Sequence, residues 1–182
     1  MMTLITGGIR SGKSRHALEL ARQSTIPEQK CFIATAEPLD GEMKVRIARH
    51  QEERGADFLT IEEPLHLASA IGSAQKNSGM ILIDCLTLWI NNLLYHFAGD
   101  PNRMNHEIKS FLDIVSQKKS EMIFVTNEVG LGIIPGHSLS RRYMDEIGNL
   151  NQSLARICDE VIFMVSGIPT TIKGGINARV DR

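Results

Sequence analysis

The chain has 182 residues, 42% of them hydrophobic, 23% charged and 5% aromatic, a length and balance that predict one compact domain with enough chain to bury a core. Its 20 Lys and Arg against 21 Asp and Glu leave a net charge of -1. That balance excludes a general electrostatic footprint for nucleic acid, so any attraction to phosphate has to be built locally.

In chain order, Met2–Thr6 reads as an apolar strand that runs straight into a glycine-rich loop, and Ser14–Gln23 as the helix behind it. Cys31–Thr35 is a second strand and Asp40–Arg54 a second helix with Asp40 as N-cap. Phe58–Ile61 is a short strand, Leu65–Gln75 a helix, and Met80–Asp84 a strongly apolar strand. Leu86–Phe97 and Asn105–Lys118 read as helices on either side of a turn at Gly99-Asp100-Pro101. Met122–Thr126 is a further buried strand, Ser138–Cys158 a long helix and Glu160–Ser166 a strand, and Thr170–Lys173 an edge strand after a turn at Gly167–Pro169. Continuous rather than alternating apolar strands, separated by helices, predict a mainly parallel α/β sheet covered on both faces. The polar tail from Gly174 to Arg182 reads as loosely ordered or as part of a subunit contact.

The three cysteines, Cys31, Cys85 and Cys158, are odd in number and contain no CxxC pair, which fits free thiols in a reducing compartment better than a disulfide framework or a zinc site. Glycines and Arg10 interrupt the apolar N-terminus too early for a signal peptide, and no apolar run approaches the ~20 residues of a membrane span. A cytoplasmic protein is expected.

Gly7-Gly8-Ile9-Arg10-Ser11-Gly12-Lys13-Ser14 satisfies the phosphate-loop pattern G-x-x-x-x-G-K-[ST] at every fixed position, in the strand-loop-helix context that gives the pattern its meaning. Such a loop curls so that successive backbone N–H groups and a helix N-terminus face phosphate oxygens. Lys13 then reaches the β and γ oxygens, and the Ser14 hydroxyl is a candidate ligand for Mg²⁺. Arg10 either adds a charge near the phosphates or faces solvent. In P-loop enzymes an acid such as Asp84 closes a strand neighbouring the loop's own and holds the metal directly or through water; its other reading is a cap on the helix that follows.

On the helix Asp40–Arg54, Arg46, His50 and Arg54 fall at i, i+4 and i+8 and share a face. Guanidiniums flanking His50 would lower its pKa by like-charge repulsion, and a neutral imidazole can attack phosphorus; the same stripe also reads as a solvated helix face. Thr35-Ala36 and Thr126-Asn127-Glu128-Val129-Gly130 follow strands at the end where ligands bind in open α/β sheets. Glu128 can position a metal-bound water or act as a base, or the segment is a turn. Glu62 and Glu63 can accept hydrogen bonds from a base or ribose, or are surface acids.

Taken together, Thr6–Arg15, Ile33-Ala34-Thr35-Ala36, Asp40-Gly41-Glu42-Met43, Arg46-Ile47 with His50, Asp84-Cys85-Leu86-Thr87, Asn91-Asn92-Leu93-Leu94, Val125–Gly130 and Arg141–Ser166 resemble the bifunctional adenosylcobinamide kinase / adenosylcobinamide-phosphate guanylyltransferases of cobalamin biosynthesis. The resemblance spans nearly the whole chain. It implies a RecA-like P-loop NTPase fold and a kinase step that moves the γ-phosphoryl of ATP or GTP to the aminopropanol hydroxyl of adenosylcobinamide. A second step transfers GMP from GTP to adenosylcobinamide phosphate, with release of pyrophosphate. It places the guanylylated histidine on His50 and the nucleotide contacts on Gly7, Gly8, Ile9, Arg10, Ser11, Gly12, Lys13 and Ser14, on Ala34, Thr35 and Ala36, on Gln51, Glu52, Glu53 and Arg54, on Glu62 and on Asp84. It further implies a homotrimer. The rival readings are a small-molecule P-loop kinase without a covalent step and a nucleotide-switched binding module. Ile133–Ser140 and the tail after Lys173 fall outside the resemblance.

Overall fold

In the computed structural model, residues 1–38, 41–55 and 57–174 are described, the side chains of Glu42, Arg46, Arg49, His50 and Glu53 excepted. The chain runs β1 (Met2–Gly7), α1 (Lys13–Gln23), β2 (Gln29–Ala34), α2 (Gly41–Arg54), β3 (Phe58–Glu62), α3 (Leu67–Ala74), β4 (Ser78–Asp84), α4 (Leu86–His96), α5 (Pro101–Ser116), β5 (Glu121–Val125), α6 (Ser138–Ile157), β6 (Glu160–Val165) and β7 (Ile168–Lys173). The strands form one seven-stranded sheet in the order β3-β2-β4-β5-β1-β6-β7. All neighbours are parallel except the β6–β7 edge pair, which is antiparallel.

Successive strand residues feed opposite faces, as a two-residue period demands. Leu4, Ile33, Ile81, Ile83 and Phe124 pack on one face with Leu67, Trp89, Phe111 and Leu150 from α3, α4, α5 and α6. Ile5, Phe32, Leu82, Ile123 and Ile162 pack on the other with Ala17, Leu18 and Ala21 of α1. Apolar residues on both sides of each central strand explain the uninterrupted runs in the sequence. Trp89 is fully buried, donates its indole N–H to the Leu65 carbonyl at 2.8 Å and packs on Phe111 at 5.0 Å between centroids.

Two departures from the expected boundaries have a local physical cause. Helix α5 begins at Pro101 rather than Asn105, because Asp100 accepts from the Arg103 N–H as N-cap and Pro101 stands in the first turn, where its missing N–H costs nothing. Strand β7 begins at Ile168, before the expected Thr170, and tolerates Pro169 because it is the outermost strand. Lys173 at its far end donates to the carbonyls of Ala155, Arg156 and Cys158, tying the edge strand to the C-terminus of α6. The Asp40 cap and the tail beyond Gly174 lie outside the described residues. Among the described residues no helix is long and apolar enough to cross a membrane.

The three cysteines are unpaired; Cys31 and Cys158 are buried. Burial pushes the Cys31 thiol up to about 11 and the Cys158 thiol up to about 12; burial and the Asp84 charge push Cys85 up to about 12. The thiolate is the reactive form, so iodoacetamide at pH 9 will label the folded chain far more slowly than the chain in urea; equal rates would contradict these environments. The folded thiols hold their protons above the pH at which unfolded ones release them. From this source stability therefore falls as pH rises above 9, the ordinary thiol value.

Candidate functional site

The loop between β1 and α1 is shaped by what its glycines allow. A Cβ on Gly7 would stand 2.5 Å from the Met164 carbonyl oxygen, and Gly12 sits at φ 91. Arg10 also holds positive φ, at 55, and is exposed along with Gly8 and Ile9. Gly12 is the N-cap of α1 and provides no side-chain cap, so the helix N-terminus is left to the backbone. The loop is braced from outside: Gly167, in the β6–β7 turn, donates to the Ser11 carbonyl at 3.0 Å.

Lys13 is buried and curls back over the loop, its Nζ donating to the Gly8 carbonyl at 2.6 Å and to Ser11 Oγ at 3.4 Å. Burial lowers the pKa of its ammonium, opposed by Cys85 and Asp84. The Cys85 thiol, pushed up to about 12, is protonated near neutrality, so Asp84 supplies the opposing charge there. Ser14, half-buried, follows in the first turn of α1.

Asp84 ends β4 as expected, but β4 is not the neighbour of β1. Strand β5 lies between them, pairing with β1 on one side and β4 on the other. Chain order cannot reveal this, because β5 follows β4 in sequence and inserts in space. The consequence is that the segment leaving β5 emerges between the phosphate loop and Asp84. There the Glu128 N–H donates to the Gly7 carbonyl at 3.1 Å and Thr126 N–H to the Ile5 carbonyl at 3.0 Å.

The Ala34–Ala36 segment is bound to the end of β4 by a reciprocal pair: Thr35 Oγ1 donates to the Cys85 carbonyl at 2.7 Å and accepts the Cys85 N–H at 2.9 Å. Asn92, buried on α4, donates to the Thr35 carbonyl at 2.8 Å. The Thr35 side chain is fully buried and spent on these bonds, so what this segment offers a nucleotide is its backbone and the half-buried Ala34 and Ala36. Farther along, Glu37 meets His96 Nε2 at 3.1 Å. The sequence signal for Asn92 was an amide inside an apolar helix; for the Thr35–Cys85 pair there was none, since it joins residues fifty positions apart.

Helix α2 closes the edge of the same crevice. Gln51 Nε2 donates to Glu62 Oε1 at 3.1 Å at the end of β3, while Glu52 is exposed. Arg54 is buried, its guanidinium 4.0 Å from the centroid of the Phe32 ring. Burial lowers its pKa and the Asp84 and Glu62 carboxylates oppose that shift. The last turn of α2 is thus anchored under the C-terminal ends of β2, β3 and β4. The backbone of α2 passes through position 50; the side chains of His50 and Glu53 lie outside the described residues. Glu63 serves locally, accepting the Leu65 and His66 N–H groups at 2.9 and 2.8 Å.

The structure thus brings the phosphate-loop sequence, a strand-end carboxylate one strand removed and a flanking helix ending in a buried arginine to one end of the sheet. Residues 3–172 match the family described as cobinamide kinase / cobinamide phosphate guanyltransferase. The chain belongs to the cobinamide kinase / cobinamide phosphate guanyltransferase family. It is 45% identical to the bifunctional adenosylcobalamin biosynthesis protein CobP of Pseudomonas aeruginosa over 174 residues, covering 96% of this chain and 98% of that one. It is 38% identical to the bifunctional adenosylcobalamin biosynthesis protein CobU of Escherichia coli K12 over 184 residues, covering 95% and 100%. Among solved structures, an ATPase of a bacterial type III secretion system shares the fold at TM-score 0.56 and 9% identity, over 93% of this chain and 56% of that one. The flagellar accessory protein FlaH of Methanocaldococcus jannaschii does so at TM-score 0.53 and 13% identity, over 96% and 79%. In this family member the fold is thus the P-loop ATPase type expected from the loop.

Replacing Thr35 by Val keeps its shape and removes both bonds to Cys85, leaving that part-buried N–H without its acceptor. Thr35→Val is expected to lower unfolding free energy by about 1–3 kcal/mol, and Thr35→Ser to keep most of it. Urea melts of the two variants check this; equal melts would show that the pair does not fix the segment.

Proposed function

We propose that this protein phosphorylates adenosylcobinamide with ATP or GTP and then transfers GMP from GTP to the product, giving adenosylcobinamide-GDP and pyrophosphate through a guanylyl-histidine at His50. The observation that carries the reading is the braced loop Gly7–Ser14 with Lys13 buried beneath it, in a chain whose family is defined by both transfers.

The loop N–H groups and the open N-terminus of α1 bind the β- and γ-phosphates and place the nucleotide. Lys13 exchanges its bond to the Gly8 carbonyl for phosphate oxygens and stabilises the charge that develops on the leaving group. Ser14 and Asp84 are oxygen donors that fit a small hard cation, and they would hold Mg²⁺. When bound, that ion neutralises phosphate charge as the leaving group departs. Gln51, Glu62 and Arg54 place polar groups at the crevice edge for the rest of the nucleotide.

For the transfer of GMP, the neutral His50 imidazole attacks the α-phosphorus, the bond to pyrophosphate breaks, and the phosphoramidate then passes GMP to the phosphate of the second acceptor. Two displacements replace one. The work is assigned to the cytoplasm, where three unpaired thiols persist. Assembly as a homotrimer agrees with the exposed apolar Leu131, Ile133, Ile134 and Leu139 beyond β5 and Ile168 and Ile172 on β7.

Incubation with α-labelled GTP is expected to leave acid-labile, alkali-stable label on the wild-type chain and none on His50→Ala. A kinase that turns over normally without labelling would favour the reading without a covalent step. Lys13→Ala should lose both transfers; retention of either at wild-type rate would contradict a shared cradle. Label uptake should slow on acidification as His50 takes up a proton, and a rate flat down to about pH 5 would contradict imidazole attack. Light scattering on the eluted protein should give the mass of three chains, and a monomer would contradict the assembly.

A further inference from the structure

The two proposed acceptors differ in one chemical respect. An alcohol has to lose its proton as it attacks phosphorus. A phosphate monoester, with a second pKa of about 6, already presents an ionised oxygen near neutrality. A base is therefore required in one transfer and idle in the other. The segment between the phosphate loop and Asp84 offers one group for that role.

Glu128 leaves the end of β5 half-buried, with its backbone pinned to the first residue of the phosphate loop through the 3.1 Å bond to the Gly7 carbonyl. The turn that carries it is fixed from below by α6. Asn151 is buried in the C-terminal half of that helix, on the face that also buries Ile147, Leu150 and Leu154. Its Oδ1 accepts from the buried Thr126 hydroxyl at 2.9 Å, and its Nδ2 donates to the Asn127 carbonyl at 3.1 Å. From the first turn of α4, Thr87 Oγ1 accepts the Asn127 N–H at 2.8 Å. Both residues preceding Glu128 are thus held by side chains from two other elements. A turn needing only to reverse the chain would have no use for a buried amide satisfied on both its ends.

We propose that Glu128 is the general base of the phosphoryl step alone, that it takes no part in the transfer of GMP, and that Asn151 is the residue that positions it. This rests on the two-step reading above. In the phosphoryl step the acceptor oxygen bonds to the γ-phosphorus, the bond from that phosphorus to the β-bridging oxygen breaks, and the nucleoside diphosphate leaves. The hydroxyl proton passes to the Glu128 carboxylate and from there to solvent. In the GMP step the bond from His50 nitrogen to the α-phosphorus breaks as the ionised phosphate oxygen of the acceptor bonds to it, and no proton is removed from the acceptor. The division of labour follows from the acceptors' chemistry and from the place of residue 128 in the chain, its backbone bonded to the first residue of the phosphate loop.

The test supplies each acceptor separately to the full-length enzyme. Glu128→Gln should lower kcat for phosphoryl transfer from GTP to adenosylcobinamide by about 10²-fold or more, the range of general-base contributions, and remove the acid limb of its pH profile. Guanylyl labelling of the same variant, and delivery of GMP to adenosylcobinamide phosphate, should match wild type. Asn151→Leu should lower kcat of the phosphoryl step with nucleotide KM unchanged, again sparing the GMP step. Equal loss in both transfers, or none in the phosphoryl step of Glu128→Gln, overturns the assignment. A melted Asn151→Leu, or one impaired equally in both, makes Asn151 merely structural and overturns its positioning role, while Glu128→Gln still decides the base. Failure of the wild-type enzyme on both acceptors would instead sink the two-step reading itself.

Discussion

The structure depends on a close approach of backbone to backbone at Gly7. With the Met164 carbonyl 2.5 Å from where a side chain would begin, only glycine can leave β1 at this point. The chain then turns through Gly8–Ser11 and enters α1 at Gly12 without a side-chain cap. Any other residue at position 7 would displace β6 or the loop. Strand β6 returns the constraint through its turn, where Gly167 holds the Ser11 carbonyl. The shape of the loop is in this sense a property of two strands and a turn rather than of an eight-residue motif alone.

From that fixed point the other groups acquire their places through the sheet. Because β5 lies between β1 and β4, Asp84 ends a strand one removed from the loop, and the backbone of Glu128, bonded to Gly7, runs between them. The segment after β2 is locked to Cys85 by the Thr35 hydroxyl, which ties the ends of β2 and β4 together. Helix α2 is anchored differently. Its last turn is pinned by Arg54 on Phe32 and by Gln51 on Glu62, so the one element carrying the proposed nucleophile is tied to the crevice at its C-terminal end. In the proposed reading a single nucleotide site serves two acceptors, with the chemistry chosen by which phosphorus is attacked.

Much of this was legible in the sequence, for identifiable reasons. Strands buried on both faces announce themselves as apolar runs such as Met80–Ile83, and the loop motif carries its own structural context. The start of α5 was misread because Gly99-Asp100-Pro101 is as good a turn as it is a cap followed by a first-turn proline. The insertion of β5 between β1 and β4 was not legible, since strand order is set by long-range pairing that no local pattern encodes. Asn151 entered the sequence reading only within the family-like stretch Arg141–Ser166, and its partners Thr126 and Asn127, more than twenty positions away, were not legible. The charged stripe of α2 does not distinguish a nucleophile from a solvated face; the family resemblance supplied that, and the side chain of His50 lies beyond what the structure describes.

The central claim is that one cradle presents the same triphosphate to both reactions. A crystal structure of the protein with a non-hydrolysable GTP analogue tests it most directly. The account predicts the β- and γ-phosphates seated against the N–H groups of Gly7–Ser14 with Lys13 turned toward them, and the α-phosphorus on the side open to the imidazole of His50. An analogue bound elsewhere, with Lys13 still on the Gly8 carbonyl, would contradict it.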